Sequence, residues 1–332
     1  MHCAKPDKRS MSEEGGEIKI MKGSSTKSKL KGLTGIADIS SKDLREILSL
    51  TKDLKENPLK RSSAIQNQSV ALIFAKPSLR TRISFEVGIR QLGGHPITIK
   101  MDEINVGIRE NVEDIGSVLS KYVSSIVIRT FEQKQVEDLQ KYSSVPVING
   151  LSDEEHPCQV ISDIFTISEI FKPCDGLKIA YVGDGNNVAQ SLLLACALSN
   201  INISISSPKN HQIQKKYTDL AKRMNPEINI ELNEDPKISV KNADVLYTDV
   251  WTSMGQEKEA NKRRKIFMPY QINDELLSHG KKNAVVLHCL PAHKGEEISH
   301  NVFDRFSEVI YTQAENRLHA QKAILLKLMG IN

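Results

Sequence analysis

The 332-residue chain has few aromatic residues, 5% in all with one tryptophan, and no long apolar run. A membrane-spanning helix needs about 18 apolar residues in a row, so a bilayer partner is not expected. No pair of cysteines is spaced C-x-x-C, and the five cysteines (Cys3, Cys158, Cys174, Cys196, Cys289) are an odd number. We read no secretory signal ahead of them. They are expected to be reduced thiols in a cytoplasmic protein, and His156/Cys158 and His288/Cys289 are too isolated for a zinc site. No period of a solenoid recurs. Nor is there a spread of positive charge. The net charge is +4, and residues 1–31 carry eight basic and four acidic side chains. Of the totals of 45 and 41, that leaves 37 of each sign in the remainder. A neutral body argues against nucleic acid as a partner, because a phosphate backbone demands a clustered basic excess.

What is present is a globular composition, 39% hydrophobic and 26% charged, long enough for about two domains. Residues 1–31 are polar, lack an apolar stripe and read as a flexible extension. They contain one arginine and four acids, unlike an Arg-rich, acid-poor transit peptide. From Gly32 onward helical and strand patterns alternate. Helices are expected at Ser41–Leu54, from Thr81 to the Gly93-Gly94 pair, at Val136–Tyr142, Cys158–Phe171, Asn187–Ser199 and Asn316–Met329. Strands are expected at Val70–Phe74, Ser124–Arg129, Val145–Ile148, Leu177–Val182, Ile203–Ser206, Ile228–Leu232, Val245–Asp249, Ala284–Leu290 and Val309–Thr312. Two such series predict an α/β protein of two doubly wound domains with mainly parallel sheets, linked by helices. The expected division is 32–160, joined by a C-terminal helix at 316–332, and 161–315. Ligands of such sheets bind beyond the carboxyl ends of the strands, which is where most of the motifs fall.

Lys76-Pro77-Ser78-Leu79-Arg80-Thr81-Arg82 lies between a strand and a helix. Two hydroxyls, a helix N-terminus with free N–H groups and two guanidinium forks suit a phosphate. The same residues also read as a serine N-cap beside solvated arginines, and local chemistry does not separate the two. Gly183-Asp184-Gly185-Asn186-Asn187 follows a strand as a dinucleotide fingerprint would, but Val188 stands where the third glycine belongs. Asp249 ends a strand, which is a common place for a turn-forming aspartate.

Taken together, the motifs resemble those of the aspartate/ornithine carbamoyltransferase family from about Lys31 to the end. Ser-x-Arg-Thr-Arg followed by Ser84-Phe85-Glu86 is similar to its carbamoyl phosphate motif, His156-Pro157-Cys158-Gln159 to its second motif, and His288-Cys289-Leu290-Pro291 to its third. Arg129 and Glu315-Asn316-Arg317 stand where the family has further arginines. The resemblance implies that Ser78, Leu79 (by its backbone), Arg80, Thr81 and Arg129 hold the phosphate. His156, Pro157, Cys158, Gln159, Cys289, Leu290 and Arg317 would surround the carbamoyl group. Asn105 sits where some members reach into a neighbouring subunit. Leu79 replaces a more usual threonine, a change that a backbone role tolerates.

Asp249-Val250-Trp251-Thr252-Ser253-Met254-Gly255 resembles the ornithine branch. It implies that Asn187, Asp249, Ser253 and Met254 bind ornithine, with Cys289 beside Asp249 at its α-amino group. Arg80, Thr81, His156, Asp249, Cys289 and Arg317 are then the candidate catalytic set. The implied reaction is transfer of the carbamoyl group from carbamoyl phosphate to the δ-amine of L-ornithine, by direct attack and with no metal or organic cofactor. A homotrimer, or a multiple of trimers, is implied as well. Carbamoyl transfer to putrescine, an N-acylornithine or aspartate is the alternative, together with a non-catalytic binding protein on the same fold. A cis bond before Pro291 is expected, since such bonds occur at tight turns.

Overall fold

The computed structural model describes residues 30–75, 78–100, 110–252 and 257–331. It begins with helix α1 (Ser41–Glu56), strand β1 (Ser69–Phe74), α2 (Arg80–Gln91) and β2 (His95–Lys100). There follow α3 (Val112–Tyr122), β3 (Ser125–Arg129), α4 (Gln133–Tyr142) and β4 (Val147–Leu151). Helix α5 (Pro157–Ile170) leads into β5 (Lys178–Val182), α6 (Asn187–Ser199), β6 (Asn202–Ser206), α7 (Lys215–Met224) and β7 (Ile230–Asn233). The last part holds α8 (Pro236–Val240), β8 (Val245–Thr248), α9 (Ala260–Phe267), α10 (Asp274–Leu277), β9 (Val285–His288) and α11 (His300–Met329).

Local chemistry accounts for these elements. Ser40 and Asp43 cap the start of α1 reciprocally: the Asp43 N–H donates to Ser40 Oγ at 3.2 Å and the Ser40 N–H to Asp43 Oδ2 at 3.1 Å. Leu44, Ile47, Thr51 and Leu54 form its buried face. β1 is apolar along its middle because both faces of a parallel sheet are covered. After α2 the chain turns at Gly93 with φ +86, where a Cβ would lie 2.3 Å from the Ser62 carbonyl oxygen. Only glycine fits that turn.

Two parallel sheets result, ordered β2-β1-β3-β4 and β7-β6-β5-β8-β9. The direction of winding reverses between β1 and β3 in the first and between β5 and β8 in the second. Those reversals open crevices at the strand ends. α5 connects the sheets, and α11 turns back to the first: Lys322 Nζ donates to the Pro58 carbonyl at 3.2 Å and to Gln91 Oε1 at 2.8 Å. The largest buried apolar cluster runs from Leu72 and Phe85 through Ile161 and Leu325 to Leu193 and Ile203. Both halves therefore share one core.

Three expectations need correction. Val309–Thr312 is no strand but lies inside α11, which begins sixteen residues before Asn316. Its β-branched run favours a strand locally, yet Phe303, Ile310, Gln313 and Arg317 fall on the buried side of one long helix, capped by Ser299 Oγ accepting from the Val302 N–H. Strand β2 was not expected, because its exposed, Pro-containing pattern hides an edge strand. α3 was not expected either. Asn105, Ser253 and Met254 lie outside the described residues.

Candidate active site

The ends of β1, β3, β4, β5, β8 and β9 border one cleft of about 990 Å³ between the two sheets. At the first reversal stand Ser78, Leu79, Arg80 and Thr81. Leu79 stands at the N-cap position of α2 and its apolar side chain makes no cap hydrogen bond, so the first-turn N–H groups suit an anion. Arg129 Nη1 donates to Thr81 Oγ1 at 3.2 Å and Arg317 Nη2 donates to the same oxygen at 2.8 Å. Arg82 departs from the expected pair of arginines: it is exposed and lies 4.0 Å from Glu86.

Arg80, Arg129 and Arg317 form a cationic cluster. Burial, with the charges of Arg317 and Arg80, lowers Arg129 to about 10. Arg317 is lowered too, by burial and in part by Arg80. None of the three forms an ion pair with a carboxylate among the described residues. The Nε atoms of Arg129 and Arg317 are buried without a hydrogen-bond partner. Such a cluster is unfavourable until an anion enters.

His156 and Gln159 line the cleft beside it. His156 stands at the N-cap position of α5 but makes no side-chain cap, and its backbone N–H donates to Ser191 Oγ at 2.8 Å. Burial, then Arg317 and Arg129, hold its imidazole well below the usual range, so it is neutral. Pro157 opens the helix. Cys158 corrects an expectation: its fully buried thiol faces the Asn149 carbonyl at 3.4 Å and does not line the cleft. Burial raises that thiol to about 12, leaving it inert.

At the second reversal Asp249 is nearly buried. Its Oδ1 accepts from the Cys289 thiol at 2.9 Å and from the Val250 N–H at 2.8 Å, and its Oδ2 accepts from Asn186 Nδ2 at 2.8 Å. Burial and Asp249 push Cys289 far above the usual thiol range. It is therefore a donor and not a thiolate nucleophile. The Leu290 N–H donates to His288 Nδ1 at 2.9 Å, which leaves Nε2 as the ring nitrogen that donates to Glu297 Oε1 at 3.0 Å. This holds Leu290 at φ 57, and the Leu290–Pro291 bond is cis. One ligand atom each from Asp249, His288 and Cys289 lies within 4.8 Å of the others. Both ring nitrogens of His288 and the thiol are already engaged in hydrogen bonds, which is poor preparation for a metal.

Asn187 lines the cleft, and its Nδ2 donates to the Ser152 carbonyl at 2.6 Å, tying α6 to the end of β4. Asn186, which the sequence reading passed over, is the true cap of α6. Its Oδ1 accepts from the Val188 and Ala189 N–H groups at 3.0 and 3.2 Å. The signal was an asparagine immediately before an apolar helix. Arg263 was also missed. It pairs with Asp184, donates to the Trp251 carbonyl and lies 5.0 Å over Phe267. It braces the segment after Asp249, and one of two adjacent arginines in a basic helix gives no hint of that.

Residues 31–169 match a family described as "Aspartate/ornithine carbamoyltransferase, carbamoyl-P binding domain", and residues 175–328 match the corresponding "Asp/Orn binding domain". The chain belongs to the aspartate/ornithine carbamoyltransferase family. Within this family it is 48% identical to an ornithine carbamoyltransferase of Archaeoglobus fulgidus over 303 residues, 91% of this chain and 98% of that one. A Thermococcus kodakarensis ornithine carbamoyltransferase is 48% identical over 299 residues, covering 89% and 95%. The solved ornithine carbamoyltransferase of Pyrococcus furiosus superposes with a TM-score of 0.87 at 43% identity, covering 91% of this chain and 98% of that one. No helix among the described residues is long and apolar enough to cross a membrane.

Proposed function

We propose that this enzyme transfers the carbamoyl group of carbamoyl phosphate to the δ-amine of L-ornithine, giving L-citrulline and phosphate. The observation that carries this reading is the pair Arg129 and Arg317 on Thr81 Oγ1, with the charge of Arg80 acting on both, at the N-terminus of α2. A small dianion such as a phosphate satisfies it. Ser78, Leu79, Arg80, Thr81 and Arg129 hold the phosphate. His156, Gln159, Arg317 and the Leu290 carbonyl surround the carbamoyl group, and Asn105 is assigned to the same site from a neighbouring subunit.

Across the cleft, Asp249 and Cys289 receive the α-ammonium of ornithine. Asn187 receives its carboxylate on release from Ser152, while Ser253 and Met254 close over its aliphatic part. The neutral δ-amine attacks the carbonyl carbon, a tetrahedral intermediate forms, the C–O bond to phosphate breaks, and the phosphate takes up the proton that the amine nitrogen loses. Arg80, Thr81, His156 and Arg317 stabilise the oxygens that gain charge, at about 3 kcal/mol per well-placed donor. Holding both reactants in one cleft contributes further. Asp249 favours an acceptor bearing an ammonium there and disfavours aspartate. Putrescine has no carboxylate for Asn187.

Citrulline formation is the deciding assay, with ornithine compared against putrescine, N-acetylornithine and aspartate at equal concentration. Ornithine is expected to be preferred by more than a hundredfold, and equal use of another acceptor would reject the assignment.

We also propose a homotrimer or a multiple of trimers. Leu79, Ile83 and Val87 leave an exposed apolar stripe on α2, beside Ile97 on the edge strand β2, and such a stripe marks an association surface. The free thiols of Cys158, Cys174, Cys196 and Cys289 fit a reducing, cytoplasmic compartment. Supplying citrulline for arginine synthesis is the accompanying role.

A further inference from the structure

One fully buried carboxylate lies behind the cleft and belongs to none of the roles above. Asp163 is on α5, one turn beyond Gln159, and has no exposed surface. Its Oδ1 accepts from Gln159 Nε2 at 2.9 Å and from Gln313 Nε2 at 2.8 Å. Its Oδ2 accepts from the Tyr247 hydroxyl at 2.8 Å. Gln313 in turn accepts the His288 N–H on its Oε1 at 2.9 Å. Among the described residues Asp163 has no ion-pair partner, and burying a carboxylate without one is costly. Burial raises it to about 6, offset by the hydrogen bonds from Gln313, Gln159 and Tyr247. Three donors converge on its two oxygens, so in this arrangement it serves as an acceptor.

An acceptor-only group dictates how an amide faces it. Gln159 must aim its NH₂ at Asp163, so its carbonyl oxygen is the end left for the cleft that it lines. We infer that Asp163 is a positioning residue that fixes the Gln159 side chain as a hydrogen-bond acceptor, so that the site reads the NH₂ of the carbamoyl group. Of the other groups placed around the carbonyl carbon, Arg80, Thr81 and Arg317 read oxygen, and the Leu290 carbonyl is a backbone acceptor that no side-chain change removes. Only an acceptor separates a carbamoyl phosphate from an acyl phosphate of the same shape carrying a methyl group. This inference rests on the carbamoyl phosphate reading of the cleft.

The test compares three probes, carbamoyl phosphate, acetyl phosphate and inorganic phosphate, by titration calorimetry on the full chain. The wild type is expected to bind carbamoyl phosphate at least tenfold more tightly than acetyl phosphate. Asp163→Leu is close in shape and offers no acceptor, so it should reduce that ratio to below about threefold while phosphate affinity stays within about twofold. Asp163→Asn can still accept both glutamine amides on one oxygen, with its NH₂ turned to the Tyr247 hydroxyl, and should keep the ratio. If Asp163→Leu does not fold, Asp163→Ser replaces it, its hydroxyl being too short to reach both amides. Retention of the ratio in the folded variant overturns the proposal, as does its loss in Asp163→Asn or an equal weakening of all three probes. Citrulline formation by the wild type is scored separately. A wild type that makes citrulline beside an unchanged ratio in the variant removes the role of Asp163 alone, whereas a wild type that makes none removes the underlying reading.

Discussion

At the scale of single residues, the phosphate end of the cleft combines binding power with local instability. Arg80, Arg129 and Arg317 repel one another, and burial depresses two of them. Arg80→Ala should lower citrulline formation at least about a thousandfold, a loss of about 4 kcal/mol in transition-state stabilisation. It should leave the melting temperature in phosphate-free buffer unchanged or higher, because it relieves like-charge repulsion. The rise in melting temperature that phosphate gives the wild type by mass action should disappear. Thermal denaturation with and without phosphate checks both outcomes, and an undiminished phosphate response would reject Arg80 as a ligand.

Cys289 supports a second comparison. Its thiol is a hydrogen-bond donor to Asp249, so Cys289→Ser should retain at least a tenth of the wild-type kcat/KM for ornithine and Cys289→Ala distinctly less. Total loss in the serine variant would point instead to covalent chemistry. Residues of this kind were legible through motifs that resemble the family's, since local chemistry alone left Ser78–Arg82 open between a phosphate site and a solvated cap. Asn186, Asp163 and Arg263 were not. Each works through a partner distant in the chain, Asp249, Gln313 and Asp184 respectively, and spacing along the sequence carries no trace of that pairing.

At the scale of elements, helices and strands with a strong one-sided or fully apolar pattern were readable to within a few residues, as Asn187–Ser199 and Val245–Thr248 illustrate. Failures came where tertiary context outweighed local preference, in β2 and at Val309–Thr312. The junction of β4 and α5 shows what such context can impose. Glu155, next to His156, is buried between two elements. It accepts from the Ser191 hydroxyl at 2.6 Å and from the Ile36 N–H at 3.3 Å. Gly35 has no side chain because a Cβ there would lie 2.6 Å from Glu155 Oε1.

Burial raises Glu155 to about 7, against the hydrogen bonds from Ser191 and Ile36, with Asp38 and Glu154 adding to the rise. In the unfolded chain it titrates near the ordinary glutamate value. Between about pH 4.5 and 7 the native state therefore holds a proton that the unfolded state has lost, and stability from this group falls as pH rises through that window. Glu155→Gln removes the titration. Relative to wild type, it should be stabilised by about 2–3 kcal/mol more at pH 8 than at pH 4.5. Urea unfolding at the two pH values measures the difference, and a pH-independent gap between the two proteins would show that Glu155 does not carry the shift.

At the scale of the whole molecule, the two sheets are not independent. They share one apolar core through α5 and α11, and the C-terminal helix reaches back to α1, where Lys327 Nζ lies 3.0 Å from Asp43. Alternation of helices and strands made the α/β class legible, but nothing local in α11 shows that it returns to the first sheet. Among the described residues Leu79, Ile83 and Val87 form an exposed apolar stripe on α2, whose first turn also carries Arg80 and Thr81. If copies of the chain meet there, assembly and phosphate binding are mechanically joined. Ile83→Glu would place a charge in that contact, where desolvating it costs more than the lost apolar area, by a few kcal/mol per interface. Light scattering coupled to size exclusion should then report a smaller species than the wild type, with activity reduced at least tenfold and recovering as protein concentration rises. An unchanged molar mass at micromolar concentration would show that this face is not where the subunits meet.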